Sequence, residues 1–529
     1  MIKRSTRIMV TALAGLMTLG SLAACGAGGN EDSANTVYIA NYYGGLGDEW
    51  LYKAIDGFKA ANPDVTMNFK IDNSKTEYKN LPATMATARQ DVYVVESVPY
   101  IELVSKDMIA DVTDVVTEKL TKYGEEVSIL DKLGEGQAKE YFNIEDKYYA
   151  MPTYLAQAGF IYDVDLFEEN ELYMKEGGGW TATENRTVGQ DGEANTQDDG
   201  LPVTYDDFFA LLKRMRDYSL IPLTWMGLDQ SYSNTFLYNM VADYEGYDNM
   251  LVQSTLSGTL NIDGVDTPID NSNGYLLQKV KGKEYALQFA RELLSNNANY
   301  LGSVGDVTYT HRSAQLDFLA SRTDEKRIAM LLDGDWWETE ARSDFDDLVV
   351  ENDETWAYGT RRFAMMPIPK ANDGSSASGR TALNSGSSTM IFINANTTKM
   401  EVAKRFFQYL HTEEALRIFT QYTGVTRPYD YDLTPEQRAE LTYFQQSRFD
   451  FYQDNDTKIY YSISLNDMMD QNNTYYKSMV WSSDVNGTSY SYPFTAFLLH
   501  KDMTAKQYFD GLYDYHYTRW SRFDAQGWW

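Results

Sequence analysis

Aromatic and hydrogen-bonding side chains stand together where several predicted strands end. Four such groups are Asn41-Tyr42-Tyr43, Glu96-Ser97, Trp225 and Asp335-Trp336-Trp337. In open α/β sheets, ligands bind beyond the carboxyl ends of the strands. A sugar ring has an apolar face that can lie on an aromatic ring, and its hydroxyls can bond to carboxylates and amides. The groups therefore favour a carbohydrate site, whereas a core position for each ring and a helix cap for each carboxylate are the alternatives.

An acidic, glycine-punctuated stretch at residues 191–200 could bind a metal ion. Its side-chain oxygens suit Ca²⁺, which takes about six to eight oxygen ligands. The first candidates are Asp191, Glu193, Asn195 and Asp198. Their spacing differs from the helix-loop-helix calcium pattern. The alternative is a solvated acidic loop before the helix that is predicted to begin at Tyr205.

The single cysteine, Cys25, follows a segment typical of a secretory signal. Three basic residues precede a mostly apolar run at residues 8–19, which is too short for an ordinary membrane-spanning helix. Leu22-Ala23-Ala24-Cys25-Gly26 resembles the bacterial lipobox, in which the cysteine is lipidated and becomes the N-terminus. We expect residues 1–24 to be a signal peptide and residues 25–36 a flexible tether. A plain signal peptide with an incidental cysteine is the alternative.

Composition excludes several kinds of chemistry. Because the only thiol lies at the expected anchor, the folded part can form no disulfide, no thiolate metal cluster and no cysteine nucleophile. The four histidines are far apart and show no metal-ligand spacing. A net charge of −31 disfavours nucleic acid and anionic membrane as partners. The chain has 529 residues, too many for one ordinary core, so two or more lobes are expected.

Predicted strands and helices alternate along the chain. Residues 36–41 predict a strand, 48–61 an amphipathic helix, and 65–69 the next strand. Further strands are predicted at 91–95, 328–332 and 389–394, and further helices at 205–215, 400–410 and 504–523. This alternation favours an α/β architecture in two lobes.

Five stretches resemble extracellular solute-binding proteins of the sugar-transporter type (family 1). They are VYIANYYGG with DGFKAANPDVTMNF, KYYAMPTYLAQAGFIYDVDLF, RIAMLLDGDWW, FAMMPIPKA and SSTMIFINANTTKMEVAKRFFQYLHTEEALRIF. They occur in the family's order over most of residues 37–430, while the last hundred residues match only loosely. The resemblance implies a two-lobed periplasmic-binding-protein-like (type II) fold with a hinge and an interlobe ligand cleft.

The resemblance also implies how the chain divides. The first lobe would contain residues 37–152 with 385–424, and the second lobe 153–384 with 425–529. The chain would cross near Pro152, return near Leu383 and cross again near Gly424. This places Tyr154 after the first crossing and Ser387 before the returning strand, so both join the candidate ligand contacts. Trp481, in the loop-like stretch SMVWSSDVNGTS, is a further candidate.

The function implied is binding without catalysis. We expect a monomeric lipoprotein on the extracellular face of the bacterial cell membrane, held there only by its lipid, that needs no cofactor. It would capture a carbohydrate, in our interpretation an oligosaccharide, and deliver it to the permease subunits of an ABC importer. The alternatives are a secreted glycan-active enzyme, which needs two carboxylates flanking one bond, and a glycan-binding adhesin or sensor that feeds no importer.

Overall fold

The computed structural model describes residues 34–74, 81–96, 98–134, 137–376, 379–384, 389–454, 456–461 and 480–525. The predicted signal peptide, Cys25, Ser97 and Ser387 lie outside these residues.

Within the described ranges, eleven strands form the two larger sheets and one parallel pair. They are β1 (Thr36–Tyr42), β2 (Asn68–Ser74), β3 (Val92–Glu96), β4 (Ala150–Pro152), β5 (Ala158–Asp163), β6 (Ile221–Trp225), β7 (Ile328–Gly334), β8 (Phe363–Met365), β9 (Arg380–Asn384), β10 (Thr389–Ile393) and β11 (Thr457–Tyr461). Four two-stranded hairpins are Asn143–Ile144 with Lys147–Tyr148, Tyr173–Met174 with Trp180–Thr181, Gly258–Ile262 with Val265–Ile269, and Ser483–Val485 with Thr488–Tyr490.

The described helices of ten or more residues are α1 (Glu49–Ala61), α2 (Tyr205–Asp217), α3 (Ser231–Thr255), α4 (Lys281–Leu293), α5 (His311–Ala320), α6 (Arg342–Glu351), α7 (Met400–Tyr409), α8 (Glu413–Thr423), α9 (Tyr443–Gln453) and α10 (Ala505–Ala525). Shorter helices are Leu81–Thr84, Tyr100–Ser105, Thr113–Thr117, Ile129–Leu133, Gln137–Phe142, Val164–Glu169, Trp337–Glu340, Pro435–Glu440 and Pro493–Leu499. No helix in the described part of the chain is both long and apolar enough to cross a membrane.

Local sequence explains where the helices begin and which face they bury. Helix α1 buries Trp50, Leu51 and Phe58 at helical spacing, as expected of an amphipathic helix. Thr204 caps α2 in a capping box, since its side chain accepts from the backbone of Asp207, whose carboxylate accepts from the backbone of Thr204. These signals fix the helices that pack against the two sheets.

Each large sheet is the centre of one lobe. The first sheet has the order β2-β1-β3-β10-β4, with β1 parallel to β2 and β3, and β10 antiparallel to its neighbours. The second sheet has the order β6-β7-β5-β8, with β6 parallel to β7. Each sheet has its own buried apolar cluster. The α/β, two-lobed fold predicted from the sequence is confirmed.

The chain passes between the lobes more than once. The first crossing follows β4, which ends at Pro152, and leads into β5 of the second sheet. The third crossing lies further along the chain than Gly424. Val425, Tyr429 and Tyr431 still pack in the first lobe's core, and α9 contributes Phe444 to the second lobe's core and Phe449 to the first. The chain therefore stays in the first lobe as far as Tyr431, and α9 packs against both lobes.

Candidate functional site

Trp336 lies at the carboxyl end of β7, where the strand gives way to a short helix. Its ring covers the backbone of Gly334, because a Cβ on that glycine would lie 2.4 Å from the indole carbon Cζ2 of Trp336. The indole Nε1 of Trp336 donates to the hydroxyl of Tyr232 at 3.2 Å, and the two rings meet edge to face at 5.6 Å. Both side chains are half-buried. Tyr232 and Trp336 therefore form the aromatic part of the second lobe's surface here.

The first lobe approaches this surface through the glycine-rich loop after β1. Gly44 has a φ of +38°, and its missing side chain makes room for the ring of Tyr42. A Cβ on Gly45 would lie 3.4 Å from Cδ1 of Trp336 and 3.6 Å from Cβ of Glu340. The loop of one lobe thus touches the aromatic residue and the carboxylate of the other.

Tyr154 and Glu96 complete the first lobe's side. The hydroxyl of Tyr154 donates to Glu96 Oε2 at 3.1 Å, and its ring lies nearly parallel to that of Phe419. Burial raises the pKa of Tyr154 well above its usual value, and Glu96, Tyr42 and Tyr232 add to this effect. The last two residues belong to different lobes, so Tyr154 lies within electrostatic reach of both.

We call the group formed by these contacts the interlobe cluster. Its members are Tyr42, Gly45, Glu96, Tyr154, Tyr232, Trp336 and Glu340. The predicted contact Tyr43 lies in the same loop, where its backbone N–H donates to Ser74 O. The cluster combines four aromatic rings and two carboxylates from both lobes. Flat rings with hydrogen-bond acceptors between them are the chemistry that a neutral polyhydroxylated ring requires.

A buried acid supports the cluster from behind Trp336. Asp333 accepts from Gln315 Nε2 at 3.0 Å, and the same nitrogen donates to Glu340 at 2.8 Å. His311 Nε2 lies 3.5 Å from the other oxygen of Glu340. Burial, followed by the charge of Glu340, raises the pKa of Asp333 to about 8. Asp333 therefore holds its proton at neutral pH.

We expect the variant Asp333→Asn to remove a pH dependence of stability. Between an unfolded pKa of about 4 and a folded pKa of about 8, the folded chain keeps a proton that the unfolded chain has released. Wild-type stability therefore falls as the pH rises through this window, by at most about 1.4 kcal/mol per pH unit. An amide does not titrate. The free energy of unfolding of the variant, measured with urea, should therefore increase relative to that of the wild type as the pH rises.

The matched control is Asp324→Asn, which changes an exposed carboxylate of the same lobe. This control should follow the wild-type profile. Parallel profiles for the wild type and Asp333→Asn from pH 4 to pH 8 would contradict the interpretation of Asp333 as a protonated acid.

Asp335 has a structural role that the sequence did not indicate. It is buried, and its carboxylate accepts from the Gln157 backbone at 2.9 Å, the Tyr452 hydroxyl at 2.5 Å and Arg448 Nε at 2.6 Å. The prediction that Asp335 contacts ligand is therefore corrected, because these donors occupy both of its oxygens. Asn41 is buried too, and it donates to Asn73 and to the Gly47 carbonyl, which holds the loop after β1 in place.

Three of the predicted stacking tryptophans lie in the second lobe's core. Trp225 packs against Tyr300 and Phe494, with both ring centroids 5.3 Å away. Trp337 is surrounded by rings that include Phe318, Phe363 and Phe444. Trp481 is buried, and its Nε1 donates to the carbonyl of Asn234. The expectation of ligand contact is corrected for these three, because core side chains cover their rings.

The acidic loop hydrogen-bonds largely to itself. Asp198 is buried and accepts from the backbone of Gln190 at 2.7 Å and from the Thr196 hydroxyl at 2.9 Å. Asp191 accepts from the backbone of Glu193, and Asn195 donates its backbone N–H to Asp199. Among the described residues, no group of three or more His, Cys, Asp or Glu side chains is placed to hold a metal ion. The calcium site stays a prediction without structural support.

Sequence reasoning missed Tyr232 and Glu340. Tyr232 lies in the first turn of α3, after the loop that follows β6. The sequence analysis considered only Trp225, at the end of the strand, and not the residues beyond the loop. Glu340 lies one helical turn after Trp336 and shares its face. That spacing was a usable signal, since residues four apart on a helix are neighbours.

The first connection between the lobes is held at several points. Leu155 donates its backbone N–H to Thr426 O at 2.8 Å, and Ala156 donates to the side chain of Asn384 at 3.0 Å. The buried Arg427 donates through Nε to Thr153 O at 2.8 Å and through Nη1 to Leu410 O. Gln157 is bound to Asp335 of the second lobe, as described above.

The structure has two lobes, each with its own sheet, crossing segments that join them, and a residue cluster built from both lobes. This arrangement is typical of a binding protein that holds its ligand between two lobes. The model of the family described as bacterial extracellular solute-binding protein matches residues 44–416, more than half of the chain. The chain belongs to this family. No curated protein sequence matches it.

Solved structures agree with this fold. The solute-binding protein RafE in complex with raffinose is 14% identical, with a TM-score of 0.55, and the match covers 90% of this chain and 98% of that one. A structure described for xylan utilization by Caldanaerobius polysaccharolyticus is 14% identical, with a TM-score of 0.58 over 91% and 99% of the two chains. A chitin oligosaccharide binding protein is 14% identical, with a TM-score of 0.56 over 92% and 99%. These similarities establish the fold.

Proposed function

We propose that the protein captures a carbohydrate in the interlobe cluster and delivers it to the permease subunits of an ABC importer. The observation that carries the proposal is the meeting of Trp336 and Glu340 of the second lobe with the Gly45 loop of the first. Tyr232 is bound to Trp336, and the Tyr154–Glu96 pair lies within electrostatic reach of Tyr232. Rings offer stacking surfaces, and carboxylates accept from sugar hydroxyls. The binding of raffinose by one structural neighbour and the chitin oligosaccharide name of another support the same ligand class.

The two-lobed arrangement suggests how binding is signalled. A sugar that docks on one lobe gains contacts from the other lobe only when the lobes close. It therefore shifts the population toward the closed form by its difference in affinity for the two forms. The closed form would present both lobes to the permease pair. Lipidation at Cys25 would keep the protein beside that partner, since two acyl chains hold stably where one is marginal.

A thermal-shift screen tests the ligand class. A ligand that binds only the native state raises the unfolding midpoint in a concentration-dependent way. The screen should contain raffinose, xylo-oligosaccharides, chito-oligosaccharides, amino acids and polyamines, and calorimetry should follow each hit. Stabilisation by polyamines or amino acids alone would contradict the proposal, and release of new reducing ends from a bound glycan would favour an enzyme.

A further inference from the structure

The C-terminal segment is attached to the helix end that carries Tyr232. Trp481 Nε1 donates to the carbonyl of Asn234 at 3.0 Å, and Asn234 Nδ2 donates to the carbonyl of Ser491 at 3.3 Å. Asn234 lies in the first turn of α3, two residues after Tyr232. Residues on both sides of the Ser483–Tyr490 hairpin are therefore fixed to the first turn of α3, the turn that also carries Tyr232.

This attachment leaves Tyr492 and Leu228 on the surface near the cluster. Tyr492 is 39% exposed and Leu228 is 55% exposed. The backbone of Leu228 is held by a hydrogen bond to Tyr309 O at 2.9 Å, and the carboxylate of Asp229 accepts from Ser231 N at 2.8 Å. Both residues lie in the short loop between β6 and α3, the loop that leads directly to Tyr232. The apolar and acidic side chains are thus carried on an ordered backbone.

Asp229 links this surface to the cluster electrostatically. Burial raises the pKa of Tyr492 above its usual value, and the charge of Asp229 raises it further. The pKa of Tyr232 is raised well above its usual value by burial, then by Asp333 and Glu340, with a smaller contribution from Asp229. Asp229 therefore lies within electrostatic reach of a ring inside the cluster and of a ring outside it.

We propose that Leu228, Asp229 and Tyr492 form an outer sugar-binding subsite, so that the ligand is an oligosaccharide extending from Trp336 and Tyr232 across the second lobe. The proposal rests on the proposed function, because it needs a sugar in the interlobe cluster. Tyr492 supplies the stacking surface, Leu228 an apolar edge, and Asp229 an acceptor for sugar hydroxyls. Tyr492 and Trp481 lie outside the residues that match the family, 44–416. The outer subsite therefore combines Leu228 and Asp229, which lie within the family match, with Tyr492, which lies beyond it.

The test compares sugars of increasing length on matched variants by calorimetry. The probes are xylose and N-acetylglucosamine, with the β-1,4-linked oligomers of two to six units of each, plus raffinose. Wild-type affinity should rise with length in the series that binds. Tyr492→Ala should leave the dissociation constant of the shortest bound sugar unchanged and weaken the longest by about five- to tenfold, the scale of one lost stacking contact. Asp229→Asn should act in the same direction.

The matched control is Tyr218→Ala. Tyr218 is 42% exposed and lies three residues before the start of β6, at the opposite end of that strand from Trp225 and the loop after it. It should bind every length as the wild type does. Since Tyr492 and Asp229 are surface residues, both variants should have the same thermal unfolding midpoint as the wild type.

The outcomes separate the two proposals. If Tyr492→Ala and Asp229→Asn bind every length as the wild type does while Trp336→Ala loses binding, the outer subsite is wrong and the proposed function stands. An equal loss at every length would also overturn the outer subsite, because it would place Tyr492 in the inner site. If no sugar of any length binds the wild type, both proposals fail.

Discussion

Replacing Trp336 with alanine is expected to weaken sugar binding tenfold or more while leaving the unfolding midpoint unchanged. The ring stands at the meeting point of the lobes, where it contacts Tyr232 of its own lobe and the Gly45 loop of the other. Its loss removes the largest stacking surface of the interlobe cluster and the hydrogen bond that orients Tyr232. A tenfold change corresponds to about 1.4 kcal/mol, within the range for an aromatic residue at the centre of a binding site.

Calorimetry on a sugar identified by the screen measures the effect of Trp336→Ala. The control is Trp336→Phe, which keeps an aromatic face without the indole N–H and should retain most of the affinity. A dissociation constant for Trp336→Ala equal to that of the wild type would remove this residue from the site.

The neighbouring substitution, Trp337→Ala, is expected to act on stability instead. Trp337 is 0% exposed and packs against Phe318, Phe363 and Phe444. Truncation of a fully buried tryptophan leaves a cavity and costs about 3–5 kcal/mol. We expect a marked fall in the urea concentration at which the second lobe is half unfolded, measured by fluorescence. The folded variant should keep the wild-type sugar affinity.

Trp337→Phe provides the control for this second prediction, because it keeps part of the core volume and should lose less stability. An unfolding midpoint for Trp337→Ala within error of the wild type would show that the ring contributes little to the core. Substitution of Trp336 should therefore change sugar affinity, whereas substitution of its neighbour Trp337 should change stability.

The lobes and most strands could be predicted from sequence because alternating apolar patterns and helix caps are local signals. Strand β2 shows the limit. The prediction placed it at residues 65–69, whereas it covers Asn68–Ser74, since its register is set by pairing with β1 from Thr36 to Tyr42. Residues 69–74 alternate weakly, so the partner strand decides where pairing starts.

The candidate site could be predicted only in outline. Strand ends indicated Trp336, Tyr42, Glu96 and Tyr154, and the structure brings these together. The same argument chose Trp225 and Trp337, because sequence does not show which way a side chain points after the strand turns. It also could not show that Asp335 would be taken by Gln157, Tyr452 and Arg448, since these donors come from distant parts of the chain.

The hydrogen bonds that hold the first connection between the lobes restrict how the lobes can rotate relative to each other. Thr153 is bound by Arg427, and Leu155 by Thr426, so the chain up to Leu155 moves with the first lobe. Gln157 is bound by Asp335 and moves with the second. Bending of this connection is therefore confined to the backbone between Leu155 and Gln157, where Ala156 donates to Asn384. A pivot this narrow favours rotation about a fixed axis over sliding of one lobe along the other, so closure should bring the same residues face to face in every cycle.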